Sequence, residues 1–196
     1  MKGCKEFYND SAKLWADNWY ENNSLLPYLK ALINYTNIKH PKILDLGCGA
    51  GYESMRLKNL GANVVGIDFS EKELEIAKER NPDIPFYERD ILNSYKDLGK
   101  FDGIACIGVI VHFKGDGLKT IFKNMCEVLK KNGILLLVYK EGNDYRPTSV
   151  YNGEEYERNF VYHTKENIIQ AMNNSFTFEE DLNADDGWKY LIFKKR

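Results

Sequence analysis

The chain has 196 residues, 43% of them hydrophobic and 29% charged, with a formal net charge of -2. That length suits one domain that buries a sheet under helices, and the composition excludes a disordered or fibrous chain. No window approaches the ~20 apolar residues of a membrane span, and the near-neutral charge makes nucleic acid an unexpected partner.

The first forty residues read as helical. Ser24 is placed to cap a helix whose apolar face is Leu25, Leu29, Leu32 and Ile33, and Pro27 falls in its tolerant first turn. Upstream lies an aromatic stretch, Phe7, Tyr8, Trp15, Trp19 and Tyr20. From Lys42 the pattern becomes strand, loop, helix, repeated. Lys42–Leu46 is the first strand, a helix runs to about Leu60, and Gly61 suits its stop. Asn63–Ile67 follows as a strand, then a helix opened by Ser70 with Glu73 as a capping box and closed before Asn81-Pro82. Ile84–Glu88 and Phe101–Ile107 read as strands three and four. Leu118, Ile121, Phe122, Met125 and Leu129 mark a helix closed by Asn132-Gly133, and Ile134–Tyr139 is the fifth strand. Thr164 caps a helix carrying Ile168, Ile169 and Met172. Phe176–Leu182 and Trp188–Phe193, joined through Asp185-Asp186-Gly187, read as a hairpin. The alternation predicts an α/β fold with a doubly wound, mostly parallel sheet, the hairpin adding antiparallel strands at one edge.

Three carboxyl ends of strands gather the polar residues that carry chemistry. Asp45-Leu46-Gly47-Cys48-Gly49-Ala50-Gly51 delivers a glycine loop to a helix start, where free N–H groups welcome an anion. Asp68 stands 21 residues after Gly47, where an acidic side chain can take both hydroxyls of a ribose. Asp90, after strand three, can accept from an adenine amino group while Ile91 covers the ring. Each has a plainer reading: glycines that only shape a turn, an Asp68 that only favours the next helix, and an Asp90 that only caps a loop. The cysteines Cys4, Cys48, Cys106 and Cys126 form no C-x-x-C pair, and with His40, His112 and His163 they give no metal spacing. They read as small hydrophobes in a reducing compartment. Met1–Glu6 has no apolar signal core, so a cytoplasmic location is expected.

The third glycine arrives one residue too early for the dinucleotide pattern. The D-x-G-C-G-x-G run instead resembles the first motif of class I S-adenosylmethionine-dependent methyltransferases. Asp68-Phe69-Ser70, Arg89-Asp90-Ile91, Phe101–Ile104 through His112, and Leu129–Ile134 resemble later elements of that family in order. The resemblance covers roughly residues 40 to 196 and looks most like the small-molecule branch, since Cys106-Ile107-Gly108-Val109 stands where an Asn/Asp-Pro-Pro-Tyr/Phe motif would mark amide or exocyclic amine targets.

The resemblance implies a seven-stranded Rossmann-like methyltransferase fold over residues 1–196, with a helical cap or lid over 1–40, a cofactor half over 41–139, and an acceptor segment and hairpin over 140–196. It implies S-adenosylmethionine held by Asp45, Gly47, Cys48, Gly49, Gly51, Asp68, Phe69, Ser70, Asp90, Ile91 and Ile107. His112 and Tyr162 are the catalytic candidates, His112 as a base because an unperturbed imidazole titrates near pH ~6.5. Tyr8, Trp19, Tyr139, Tyr145 and Arg146 are candidates for lining the acceptor, with Arg146 suited to a carboxylate or phosphate. The expected partner is a small-molecule acceptor; no nucleic acid, membrane or metal is expected, and the chain is expected as monomer or homodimer. A nicotinamide-dependent oxidoreductase and a non-catalytic S-adenosylmethionine-binding protein remain the rival readings.

Overall fold

The computed structural model describes residues 2–183 and 187–196. In chain order the elements are β1 (Lys2–Gly3), α1 (Cys4–Trp19), α2 (Leu26–Thr36), β2 (Lys42–Leu46), α3 (Tyr52–Asn59), β3 (Asn63–Asp68), α4 (Glu71–Arg80) and β4 (Phe86–Glu88). They continue as β5 (Phe101–Ile107), α5 (Asp116–Val128), β6 (Leu129–Lys140), β7 (Tyr145–Arg146), β8 (Ser149–Tyr151), β9 (Glu154–Glu157), β10 (Phe160–Val161), α6 (Lys165–Ala171), β11 (Phe176–Asp181) and β12 (Trp188–Lys195).

The main sheet has seven strands in the order β11-β12-β6-β5-β2-β3-β4. β6, β5, β2, β3 and β4 are mutually parallel, while β12 is antiparallel to both β6 and β11. Only β12 is therefore reversed; β11 runs with the parallel strands, a refinement of the expectation that both hairpin strands oppose the rest. The chain order turns back between β2 and β5, and a crevice beyond the carboxyl ends of such neighbours is where open α/β sheets hold ligands.

Alternation along the strands builds two cores, one on each face. Leu44, Leu46, Ile104, Cys106, Leu135, Leu137 and Tyr139 face α5 and α6 with Phe122, Met125 and Ile168. Ile43, Val64, Ala105, Leu136, Val138 and Ile192 face Leu29 and Leu32 of α2, Leu57 of α3, and Leu74 and Ala77 of α4.

Several local expectations shift. Ser24 caps nothing; α2 starts after Leu25, with no side-chain cap and Pro27 in its first positions. The Ser70 hydroxyl does accept from the Glu73 N–H, but the Ser70 N–H goes to Asp68 rather than back to Glu73. α5 ends at Val128, because Leu129 already pairs with Phe101 and the following residues extend β6 through an irregularity where Asn132 has positive φ. Strand three shortens to Phe86–Glu88. Thr164 caps α6 as expected, accepting from the Asn167 N–H. Asp185 and Asp186 of the expected turn lie outside the described residues. The 140–163 segment, read from sequence only as a substrate region, makes short strands: β9 pairs with β8 and with β1, and β7 pairs with β10.

Gly66 lies mid-β3, where an added Cβ would sit 2.5 Å from the Phe86 ring and 2.9 Å from the Cys48 sulfur. Gly66→Ala is expected to destabilise the protein by about 1–3 kcal/mol through overpacking. Gly117, in the first turn of α5, has room for a methyl group, and Gly117→Ala is expected to stabilise by about 0.4–1 kcal/mol. Denaturant titration of both variants checks the opposite signs.

Candidate functional site

The glycine loop is built by hydrogen bonds before any ligand arrives. As β2 ends, the N–H groups of Gly47 and Cys48 both donate to the Ile67 carbonyl, at 2.8 and 3.0 Å. Gly47 and Gly51 have φ of 75° and 80°, and a Cβ on Gly47 would lie 2.2 Å from a methyl of Val109. The loop after β5 is thereby pressed against the loop after β2. Asp68 then ties the pieces together: its carboxylate accepts from Gly49 N–H and from Ser70 N–H, both at 2.9 Å. Glu73, on the inner face of α4, accepts from the Ala50 backbone, and Asp45 accepts from the Ser54 hydroxyl at 2.6 Å.

Four carboxylates thus lie buried around one loop: Asp45, Glu53, Asp68 and Glu73. Burial, reinforced by the neighbouring Asp68 charge, pushes Asp45 up to about 7 and Glu73 up to about 8. Burial and Asp45 push Glu53 up to about 8, against the pull of Arg56 at 3.4 Å. Burial raises Asp68 too, opposed by its backbone donors. Among the described residues, one oxygen each of Glu53 and Glu73 has no partner. The region is short of positive charge and of donors, a condition that a cation relieves.

Beyond Asp68 a cavity of about 480 Å³ opens, lined by Lys5, Phe69, Glu88, Arg89 and Asp90. Asp90 is exposed and accepts from the Leu92 N–H at 2.9 Å. Ile91 is not on the cavity wall; it is buried in the main core, and its carbonyl accepts from Asn124.

Helix α1 lies across these strand ends. Tyr8 meets the Phe69 ring at 6.0 Å, the Asn9 side-chain oxygen accepts from the Ser70 hydroxyl at 2.7 Å, and the Tyr20 hydroxyl donates to the Ala50 carbonyl at 2.7 Å. Lys5 bridges Glu71 and Glu88 at 2.8 Å each. The buried Arg56 guanidinium donates to the Trp19 and Tyr20 carbonyls at 2.7 and 2.8 Å, satisfying the carbonyl end of the helix with a cation.

His112 follows β5 in a short helical turn, and its surroundings change the reading of it as a base. Its Nδ1 lies 2.7 Å from the Asn159 carbonyl, so that nitrogen donates. Its Nε2 lies 2.9 Å from the Tyr8 hydroxyl, which must then donate, and the Tyr8 oxygen accepts from Arg158 at 2.7 Å. Burial and the Arg158 charge push the imidazole down to about 4, so it is neutral at pH 7 with its lone pair engaged. Tyr8 is pushed up to about 12 by burial and stays protonated.

The other residues singled out from sequence divide. Ser70 is buried beside Asp68. Ile107 is half-buried at the strand end, beside the core that faces α2, α3 and α4. The Cys48 side chain faces Gly66 in the core, so only its backbone belongs to the loop. Tyr139 is fully buried against His163, at 6.3 Å between rings. Trp19 stacks on Tyr52 at 6.3 Å. Tyr145 is exposed and donates to Asn159, while Arg146 pairs with Asp144 at 3.6 Å and lies over the Tyr162 ring. Tyr162 packs against Phe160, whose ring in turn edges His112 at 6.4 Å. Sequence reading missed Glu53, Arg56, Glu73 and Arg158 as site residues. Two left a signal: Glu73 shares the inward helical face of Leu74 and Ala77, and Arg158 alternates in phase with Tyr156 and Phe160.

Residues 43–133 match the family model described as a methyltransferase domain. Over 103 residues the chain is 37% identical to a ubiquinone biosynthesis O-methyltransferase of Pelagibacter ubique, covering 51% of this chain and 42% of that protein. Over 111 residues it is 32% identical to the Coxiella burnetii protein of the same name, covering 55% of this chain and 47% of that one. The chain thus spans less than half the length of these curated relatives. In fold it is similar to an S-adenosylmethionine-dependent methyltransferase of Clostridium acetobutylicum, with a TM-score of 0.76 at 17% identity over 96% of this chain and 99% of that one. It is also similar to the 1,6-didemethyltoxoflavin-N1-methyltransferase of Burkholderia thailandensis, with a TM-score of 0.74 at 15% identity over 97% and 86%. Over residues 43–133 in sequence, and in fold over nearly its whole length, the chain is similar to the S-adenosylmethionine-dependent methyltransferase family.

The residues fit the cofactor of that family. The cofactor is a sulfonium with an amino group, and one oxygen each of Glu53 and Glu73 is left without a partner among the described residues, in a cluster of four buried carboxyls that Arg56 meets at Glu53. Its nucleoside part suits the cavity between Phe69 and Asp90. Among the described residues, no helix is long and apolar enough to cross a membrane.

The raised carboxylates make a pH prediction. Folded Asp45, Glu53 and Glu73 hold protons that the unfolded chain has released, so the folded state binds more protons and stability falls as pH rises. From about pH 7.5 to about 8.5 the depressed His112 and His163 scarcely oppose this, because the unfolded imidazoles have by then lost nearly all their protons. Each carboxyl contributes up to about 1.4 kcal/mol per pH unit. Denaturation of the ligand-free protein across that window is expected to show the decline, and Glu73→Gln to flatten it. A flat or rising profile would contradict the carboxylate cluster.

Proposed function

We propose that this chain transfers a methyl group from S-adenosylmethionine to a small-molecule acceptor. The observation that carries this reading is the placement of Asp68: a buried carboxylate at a parallel strand end, between a glycine loop and a nucleoside-sized cavity. The named relatives act, by their names, in ubiquinone and toxoflavin methylation, and small-molecule chemistry of that kind is the reading we extend to this chain.

When bound, the cofactor supplies a methyl group on a sulfonium, a reactive electrophile that needs no covalent help from the protein. The residues of the chain bind, align and exclude water. In this reading Gly47, Gly49 and Gly51 leave backbone room for the amino-acid part, and Asp45, Glu53 and Glu73 offset its positive charge. Asp68 takes the ribose hydroxyls, exchanging a backbone donor for them. Phe69 and Asp90 flank the adenine, and Ile107 borders the methyl. Tyr8 and His112 form the wall opposite, with His112 as a neutral hydrogen-bonding group rather than a strong base. Tyr162, Tyr145 and Arg146 would act only if the 140–163 segment closes further over the site. Alignment of this kind can supply roughly 7–11 kcal/mol.

Helix α1 is the cover in this account. Its amides are expected to exchange more slowly when S-adenosylhomocysteine binds, and equal exchange with and without it would remove the lid role. S-adenosylhomocysteine is expected to raise the melting temperature, whereas NADH is not. Asp68→Ala should weaken its binding at least tenfold, since charge-assisted hydrogen bonds contribute about 1.5–3 kcal/mol each. Calorimetric titration checks this; NADH binding without S-adenosylhomocysteine binding would overturn the reading.

A further inference from the structure

Arg158 differs from four other arginines of the chain. Arg56, Arg80, Arg89 and Arg146 each sit against a carboxylate. Among the described residues no carboxylate lies within ion-pair distance of Arg158. Its guanidinium is instead surrounded by the rings of Phe7, Tyr8 and Phe160, at 4.6, 5.1 and 5.6 Å from their centroids. Its hydrogen bonds are to neutral oxygens, Ser149 Oγ at 3.2 Å and the Tyr8 hydroxyl at 2.7 Å. Its Nε is buried with no partner among the described residues. Nε and Nη2 share one edge of the planar group, the edge that grips a carboxylate through two parallel bonds. Here half of that edge is empty and the other half holds a phenol oxygen. An aromatic enclosure strengthens whatever charge partner reaches it, because little water competes.

The place matters as much as the group. The Tyr8 ring that covers Arg158 also edges Phe69, which lines the nucleoside-sized cavity, and bonds His112 after β5. Arg158 is therefore one ring away from the cofactor pocket, on the side where an acceptor must approach. The groups around it offer no base. Both nitrogens of His112 are engaged, one donating to Asn159 and one accepting from Tyr8.

We propose that the methyl acceptor is a small aryl carboxylate, held by the Nε–Nη2 edge of Arg158 after its oxygen displaces the Tyr8 hydroxyl. This rests on the methyltransferase reading above and names the acceptor class for the same site. A carboxylate is already ionised at neutral pH, so no proton has to be removed. Its oxygen lone pair forms the new O–C bond as the C–S bond of the sulfonium donor breaks. The bonding pair of that bond stays on sulfur, leaving a neutral thioether and a neutral methyl ester. Phe7, Tyr8 and Phe160 supply the flat apolar walls for the aryl part. Arg146, which the sequence suggested for an anion, already has Asp144 as its partner and stands at the surface.

The test uses the full chain saturated with S-adenosylhomocysteine, titrated calorimetrically with benzoate, phenylacetate and salicylate and with their neutral amides. At least one carboxylate is expected to bind ten or more times tighter than its amide. Arg158→Gln should abolish that preference, and Arg158→Lys, which keeps the charge without the fork, should retain only part of it. Both variants should keep their melting temperature within a few degrees and their S-adenosylhomocysteine affinity within about threefold. With S-adenosylmethionine, the preferred acid should yield a base-labile methyl ester. No preference for any carboxylate in the wild type, or a preference that survives Arg158→Gln, would overturn the proposal. A protein that fails to bind S-adenosylhomocysteine at all would overturn the methyltransferase reading itself, and the acceptor assignment with it.

Discussion

A carboxylate buried at the end of a central strand must be met by donors or by positive charge. Asp68 meets this constraint by reaching two ways, to the Gly49 N–H in the loop after β2 and to the Ser70 N–H at the start of α4. The rest of the site is arranged around that bridge. The loop it holds is pinned from behind by the Ile67 carbonyl and from the side by Val109. Glu73 repeats the device one residue further along the loop, at Ala50. The result is a rigid backbone loop beside a cluster of buried carboxyls that hold protons in the free protein and ionise readily against a cation, a poor environment for a phosphate-rich dinucleotide and a good one for a sulfonium.

That carboxyl cluster has a counterpart across the strand ends. Arg158 brings a positive charge with no carboxylate partner among the described residues, wrapped in aromatic rings. Tyr8 connects the two regions, touching Phe69 on one side and bridging Arg158 to His112 on the other. A cationic donor near the carboxylates and an anionic acceptor near the arginine would each relieve an imbalance that the protein alone leaves. Helix α1 carries Tyr8 and is fixed at both ends, by Lys5 and by Arg56, so movement of this helix changes both halves together.

Much of this was legible in the sequence because it rests on local spacing. The order of strands and helices, the glycine loop, Asp68 and the final hairpin follow from period, turn residues and distance along the chain. What was not legible depends on contacts between distant segments. Residue type alone gives His112 a titration near neutrality; Arg158, 46 positions away, and the Asn159 carbonyl decide otherwise. Ile91 resembled an adenine contact by position, but the turn capped by Asp90 directs it into the core. Arg146 and Arg158 share a segment, and only the phase of the β9–β10 region tells which faces inward. The strand phase was written in Tyr156, Arg158 and Phe160, but a segment so rich in Glu reads at first as a solvated loop.

The most direct test of the central claim is a crystal structure of the protein with S-adenosylhomocysteine. The account requires the nucleoside in the cavity between Phe69 and Asp90, its ribose hydroxyls on the Asp68 carboxylate, and its amino group among Asp45, Glu53 and Glu73. A nucleoside bound elsewhere, or a ribose that leaves Asp68 on its two backbone donors, would contradict it.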